Sequence, residues 1–483
     1  MKHNLRQQGR GRKTERAGNN RKKKVLVVTS VASMVSQFLL PDIRLLQELG
    51  YEVHVMCNFQ KGNTCDRMQL RKLEKELQEM HVTPHHWDCP RSAGRLLQCV
   101  HAFWRLWRLT GQQRFCMIHC HSPVGGVLAR LAAHGRKIRV IYTAHGFHFY
   151  QGAPLKNWIL YYPVEKLLSY WTDVLVTVNR EDFRFAAGNL AAGKICHIPG
   201  VGIDTSRFCQ PKEENKQVRN GTESDWQRKE AQNGVESDRQ WDEAGFHRKY
   251  NIPPNAKVLL SVGELNRGKN HRVVIRALAE LSGKDVYYLI CGQGNLEKEL
   301  RRYADRLGVA GRVRMPGYQQ DMQRIYPYAD IFVFPSMREG MPVALMEAMA
   351  AGLPCVVSDI RGNRELIANI RDSRELKANI RGSRELKANI RDSREPAARL
   401  AGSAAGEACR RRGTDISLRF APDDPKQLVR TLERLLADPQ LRQACGKRNQ
   451  RKMPAYSREA VLRKMKQIYQ AMEYETKIPG YEK

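Results

Sequence analysis

Residues 337–354 read MREGMPVALMEAMAAGLP, and between Pro342 and Ala351 the single ionisable residue is Glu347. A second acid, Glu339, stands eight positions earlier, just before the apolar segment begins. An ionised carboxylate is costly to bury unpaired, so Glu347 must face a polar ligand or a partner charge. Pro342 falls where a first helical turn favours proline, and Gly352 where a helix closes. This places Glu339 in the loop at the helix N-terminus and Glu347 on the second turn. A helix that opens after Gly340 with free backbone N–H groups is also an anion site. A diphosphate at that N-terminus, with hydroxyls reaching both acids, accounts for the whole constellation. The alternative is a buried Glu–Arg pair or a capping carboxylate.

The elements that must hold this segment repeat a simple pattern. From Lys24 onward, strand-like runs (KVLVVTS, YEVHVMC, FCMIHCHS, IRVIYTA, DVLVTVN, ICHIP) alternate with helical ones. The pattern breaks after Pro211 and restarts at KVLLSVGE, VYYLICGQG, VRMPG, ADIFVFPS and CVVSD. Short apolar strands alternating with helices imply parallel sheets covered on both faces. Two doubly wound α/β domains in tandem place a ligand cleft at the carboxyl ends of their strands. The spacing predicts a basic disordered tail over 1–23, a first domain over 24–205 and a second over 250–455. Residues 206–249, polar and carrying a 13-residue repeat (NGTESDWQRKEAQ, NGVESDRQWDEAG), read as a flexible insertion. A ten-residue repeat begins at 360 (IRGNRELIAN, IRDSRELKAN, IRGSRELKAN, IRDSREPAAR). It reads as duplication of a native strand-to-helix turn, exposed and charge-rich, with an insertion over about 366–399.

Composition narrows the class. The chain has 483 residues, too many for one ordinary core, and a formal net charge of +32. Ten Lys/Arg against one Glu lie within residues 1–24. Such charge suits nucleic acid or the acidic face of a membrane. The twelve cysteines include no Cys-x-x-Cys pair and read as reduced core thiols of a cytosolic protein. No run of 18 apolar residues occurs, so attachment to a membrane is expected from its surface.

The Glu-x7-Glu segment, preceded by ADIFVFPS and followed by a strand, resembles glycosyltransferase family 4, retaining enzymes of the two-Rossmann-domain type called GT-B. SVGELNRGKNHRVVIRAL, YLICGQGNLEKEL and MPGYQQDMQRIYPYADIFVFPS carry the same resemblance. IHCHSPVGGVLARLAA and YTAHGFHFYQGAPLKNW look most like bacterial exopolysaccharide and capsule transferases, which extend sugars on a polyprenyl-diphosphate lipid. The resemblance implies that Glu347 binds the donor ribose. It places Glu339 near the transferred sugar, with Gly340, Met341 and Pro342 supplying backbone contacts. Lys269 matches the lysine that clamps the donor diphosphate. The arginine expected near the start of that motif is replaced by Glu264, and Arg267 is the cation able to take its place. Gly317 and Tyr318 match the turn flanking the nucleobase, Gly292 and Gly294 the preceding glycine turn, and His145 the histidine facing the donor sugar.

No Asp-x-Asp pair or zinc-like His/Cys spacing occurs, so transfer is expected without a metal and with no cofactor beyond the nucleotide-sugar substrate. Residues 96–110 and 153–171 interleave aromatics with basic residues, either as ordinary core helices or as an interfacial surface. The expectation is a hexose or N-acetylhexosamine transferase using a nucleotide donor, UDP in the first instance, and a polyprenyl-diphosphate-linked acceptor. It would sit in the cytoplasm, peripheral on the inner face of the cell membrane. Residues 456–475 resemble the family's helix that crosses back to the first domain. The competing classes are a nucleotide-sugar epimerase of the same fold and, from charge alone, a nucleic-acid-binding protein; no nucleic-acid partner is expected.

Overall fold

The computed structural model describes residues 22–60, 67–90, 94–208, 242–281, 285–367 and 418–474. The basic tail to residue 21, nearly all of the 13-residue repeat and the later copies of the ten-residue repeat lie outside the described residues.

Two parallel sheets form the frame. The first contains β1 (Lys24–Val28), β2 (Glu52–Cys57), β3 (Thr83–His86), β4 (Phe115–His121), β5 (Arg139–Ala144), β6 (Val174–Thr177) and β7 (Lys194–His197). Their order is β3-β2-β1-β4-β5-β6-β7. The second contains β8 (Lys257–Val262), β9 (Val286–Cys291), β10 (Val313–Gly317), β11 (Ile331–Phe334), β12 (Cys355–Ser358) and β13 (Arg419–Phe420), in the order β10-β9-β8-β11-β12-β13. The central strands are apolar along their whole length because helices cover both faces: all four residues of β11 and of β12 are buried. In each sheet the chain works outward from a central strand and then returns to its other side. The reversals fall between β1 and β4 and between β8 and β11. Loops leaving such a pair diverge and leave a crevice at the strands' carboxyl ends.

The domains are joined twice at one place. Ile203 pairs with Ser457, its N–H donating to the Tyr456 carbonyl at 3.1 Å. Beyond this bridge the helix Arg458–Tyr474 lays Val461, Met465, Ile468 and Tyr469 into the core of the first sheet.

A helical turn at Ala32–Met34 and a π turn at Val35–Leu39 precede the helix Leu40–Glu48. Three local expectations are corrected. The stretch expected as linker ends in a helix, Glu243–Lys249, capped by the Asp242 carboxylate accepting from Gly245 N–H. Its Phe246 is fully buried in the second core, so that domain starts before 250. Pro342 is the N-cap residue of the helix Val343–Ala350 and lies one position ahead of its first turn. The first copy of the ten-residue repeat is not exposed: Arg361 and Asn363 are buried.

Candidate active site

The loop after β8 and the loop after β11 flank the switch point of the second sheet, and they carry the charged groups. After β8, Asn266 caps a short turn, Arg267–Lys269, by accepting from Lys269 N–H. Asn270 follows in the left-handed conformation at φ 53°, and its side chain donates to the Pro422 carbonyl at 2.7 Å. This fixes the Lys269 stem, whose Nζ reaches Glu339 Oε1 at 2.6 Å and lies 5.2 Å from the centre of the Phe334 ring. Both partners of the ion pair remain partly open to solvent. Arg267 lies on the same turn, exposed and without an ion pair among the described residues.

Glu347 sits half-buried on the second turn of its helix, where Oε2 accepts from the Tyr326 hydroxyl at 3.0 Å. Burial raises its pKa to about 7, with the Tyr326 hydrogen bond and the Arg207 charge acting in the opposite direction. The acid is thus partly paired and poised between its two protonation states.

Glycines let the loops meet. A Cβ on Gly292 would lie 1.8 Å from the Gly263 carbonyl oxygen, and one on Gly294 2.4 Å from that of Leu265. These contacts close the loops after β8 and β9 onto one another, and Gly292 N–H donates to the Gly317 carbonyl. Gly317, at φ 81°, turns the chain after β10 and leaves Tyr318 half exposed. Between domains, a Cβ on Gly340 would lie 1.9 Å from the carbonyl oxygen of His145. No side chain could occupy that contact, so the loop bearing Glu339 lies directly against the loop bearing His145. Met341 packs against both domain cores and fills the space over Gly200.

His145 follows β5, and its Nε2 is 3.1 Å from Nδ1 of His121 at the end of β4. Burial lowers its pKa to about 4, so it is neutral near pH 7. Of the expected residues, Lys269 meets Glu339 and Gly340 meets His145; Glu347 lies on the helix that follows and bonds to Tyr326, Arg267 shares the turn of Lys269, and Gly317 and Tyr318 lie at the end of β10.

One important group was not expected. Arg361, in the first repeat copy, crosses the interface: it donates to Asp182 Oδ1 at 2.7 Å, to the Phe147 carbonyl at 2.6 Å and to the Glu339 carbonyl at 3.2 Å. Asn179 adds a bond to the Gly340 carbonyl at 3.3 Å. A buried guanidinium with a carboxylate and two carbonyls is a well-paired charge, and it ties the acid-bearing loop to the first domain. The signal available was Gly362, which follows it and whose Cβ would lie 2.5 Å from the Gly340 carbonyl oxygen.

The first domain offers hollows of its own beside the carboxyl ends of β1, β2 and β3. One, of about 540 Å³, is lined by Ser30, Asn58, Asp88, Arg95, Leu97 and His101. Another, of about 700 Å³, is lined by His85, His101, Trp104, Arg105 and Arg108 among others. Among the described residues no group of three or more His, Cys, Asp or Glu is placed to hold a metal ion, and no helix is long and apolar enough to cross a membrane.

Comparison with known proteins agrees with this geometry. Residues 43–207 match the family model for Glycosyltransferase Family 4, and residues 242–374 that for Glycosyl transferases group 1. The Bacillus subtilis glycosyltransferase EpsD is 33% identical over 353 residues, covering 71% of this chain and 81% of its own. The Escherichia coli UDP-Gal:alpha-D-GlcNAc-diphosphoundecaprenol alpha-1,3-galactosyltransferase is 27% identical over 270 residues, 54% of this chain and 62% of its own. Among solved structures, HepE of Anabaena in complex with UDP and glucose superposes with a TM-score of 0.61. That match covers 93% of this chain and 100% of HepE at 14% identity, a likeness of fold. With its two parallel sheets facing one crevice and its acids at the second switch point, the chain belongs to glycosyltransferase family 4 and has the GT-B fold.

Proposed function

We propose that this protein is a retaining transferase that moves a hexose or N-acetylhexosamine from a UDP-linked donor to a lipid-linked sugar in cell-surface polysaccharide synthesis. The observation that carries the reading is the Lys269 and Glu339 pair set beside the helix N-terminus, with Glu347 on the same helix and His145 across the domain contact. In this reading Glu347 accepts hydrogen bonds from the ribose hydroxyls. The diphosphate takes Lys269 away from Glu339 and lies on the N–H groups that follow Gly340, Met341 and Pro342, with Arg267 as a second cation. Positive charge and helix N–H groups would stabilise the leaving diphosphate, the task a metal performs elsewhere. Glu339, released from Lys269, and the His145 ring then address the sugar, while Gly317 and Tyr318 flank the base.

Retention is consistent with attack from the face the diphosphate leaves. The bond from the anomeric carbon to the phosphate oxygen breaks, the acceptor oxygen bonds to that carbon, and the acceptor proton passes to the departing phosphate. The acceptor's side is the first domain, where the 540 Å³ hollow supplies Asn58 and Asp88 for hydroxyls and Arg95 for a phosphate.

Two helices support docking on an anionic membrane surface. Leu96, Leu97, Val100 and Trp104 are exposed on Leu96–Gln112, and Leu155, Ile159, Leu160 and Leu167 on Leu155–Ser169. Contiguous apolar faces with Arg105, Arg108, Lys156 and Lys166 alongside suit headgroups better than water. Related proteins named for diphosphoundecaprenol-linked acceptors support a lipid partner.

Incubation of the purified protein with a panel of nucleotide sugars, followed by mass analysis of donor hydrolysis, tests the reading. Release of UDP from one donor, accelerated by a polyprenyl-diphosphate sugar, supports it. Interconversion of a UDP-sugar without any acceptor would move the protein to the epimerases. Silence with every UDP-sugar would reject the donor assignment.

A further inference from the structure

His145 is backed by two more imidazoles on one face of β4, His119 and His121. Successive rings are close: the centroids of His119 and His121 lie 4.2 Å apart, and those of His121 and His145 5.4 Å. The inner ring is anchored at both nitrogens, Nδ1 of His119 lying 2.8 Å from the Tyr469 hydroxyl and Nε2 2.9 Å from the Thr143 hydroxyl. Tyr469 in turn donates to Asp42 Oδ1 at 3.3 Å. Tyr469 therefore accepts from His119 Nδ1–H, and His119 Nε2 accepts from Thr143. The helix that returns from the second domain thus fixes the first ring.

We infer that His121 is a positioning residue: it donates from Nδ1 to Nε2 of His145 and so holds His145 in the tautomer whose proton is on Nδ1. The argument is one of donors and acceptors. Nε2 of His121 is buried and has no partner. A proton there would leave an orphaned buried N–H, the rarer and costlier of the two defects, so the proton belongs on Nδ1. His121 Nδ1 is then the donor in the 3.1 Å contact, and Nε2 of His145 the acceptor. Burial keeps all three rings neutral near pH 7, which removes the alternative of a doubly protonated member. Nδ1 of His145 has no protein partner among the described residues, and the residue is half-buried. Its N–H is consequently the one polar hydrogen this ring offers a ligand. Resting on the proposed function, the inference makes His145 a neutral hydrogen-bond donor to a sugar hydroxyl, unable to act as a base through its outward nitrogen.

The test uses full-length protein carrying ring-¹⁵N histidine, read by long-range ¹H–¹⁵N correlation, with His145→Gln identifying the His145 signals. Wild-type His145 should show the Nδ1–H pattern. His121→Leu should let the ring revert to the Nε2–H form that free imidazole side chains favour. His121→Asn, whose amide can donate from about the place of Nδ1, should restore Nδ1–H. Turnover of the donor identified in the panel should fall about ten- to a hundredfold in His121→Leu, with UDP affinity kept, and recover in His121→Asn. An Nε2–H pattern in the wild type, or Nδ1–H persisting in His121→Leu, would overturn the inference. A tautomer change without loss of turnover would uphold the assignment at His121 and remove His145 from the proposed chemistry.

Discussion

The two walls of the crevice are built on opposite principles. On the second domain the groups are ionisable and partly open to solvent: Lys269 is paired with Glu339, and Glu347 accepts from the Tyr326 hydroxyl and feels the charge of Arg207. On the first domain the corresponding groups are neutral rings: His119, hydrogen-bonded to Tyr469 and Thr143, packs against His121, which is hydrogen-bonded in turn to His145. Both walls use the carboxyl ends of parallel strands, so the fold alone does not explain the difference. On the proposed function, what differs is the ligand each would meet. A diphosphate needs cations and N–H groups that can exchange one anionic partner for another, and partial solvation keeps that exchange easy. A sugar hydroxyl needs a directed donor or acceptor, and burial keeps an imidazole uncharged and in one tautomer.

Arg361 is where the walls are tied, and its loss should give the largest effect. Arg361→Ala leaves Asp182 buried without its cation and is expected to lower stability by about 3–5 kcal/mol, read as a fall in the denaturation midpoint. Arg364→Ala, three residues on in the same helix but substantially exposed, should change it by no more than about 0.5 kcal/mol. Equal effects would show that the walls are not coupled through this contact.

The charged wall should also respond to pH where the neutral wall does not. Glu347 in the empty protein is largely protonated at pH 6 and largely ionised at pH 8, because burial lifts its pKa to about 7. Ribose hydroxyls donate best to the carboxylate, so UDP affinity should rise about tenfold across that interval and level off above it. Comparison with Glu347→Gln, which retains only the ligand's own titration, isolates the effect. An identical slope in the variant would detach Glu347 from the ribose.

Outside the crevice the expected effects shrink. Sedimentation with anionic vesicles should weaken as salt rises, within screening range. Trp104→Ala should reduce the salt-resistant part of binding by a few-fold, since it removes roughly 2 kcal/mol or less of apolar contact. No sedimentation at low salt would reject the apolar helices as a docking face. Smallest of all, removal of residues 370–389, two whole copies of the ten-residue repeat, should leave UDP binding and turnover nearly unchanged, because changing loop length costs on the order of 0.6 kcal/mol per doubling. A collapse in folding would show that those copies pack.

Most of this frame was readable in the sequence. Strands such as IFVF and CVVS are uniformly apolar because both sheet faces are covered, and the Glu-x7-Glu helix announces itself by one acid in an apolar run. What escaped depends on partners far along the chain. Arg361 sits in a charge-rich repeat that reads as exposed, yet its carboxylate partner lies 179 positions away. Tyr469 meets His119 across 350 positions, and no local pattern pairs them. The helix Glu243–Lys249 hides in a polar stretch because seven residues with one buried aromatic show no periodicity.

Calorimetric titration of UDP into Glu347→Gln and Glu339→Gln, beside turnover of the intact donor, tests the central claim most directly. Glu347→Gln keeps the shape but removes a charged acceptor, and UDP affinity should fall about ten- to a hundredfold. Glu339→Gln should keep UDP affinity, since it leaves Lys269 free for the diphosphate, while turnover falls on the order of a hundredfold or more. Equal loss of UDP binding in both variants, or in neither, would contradict the division of labour between these two glutamates.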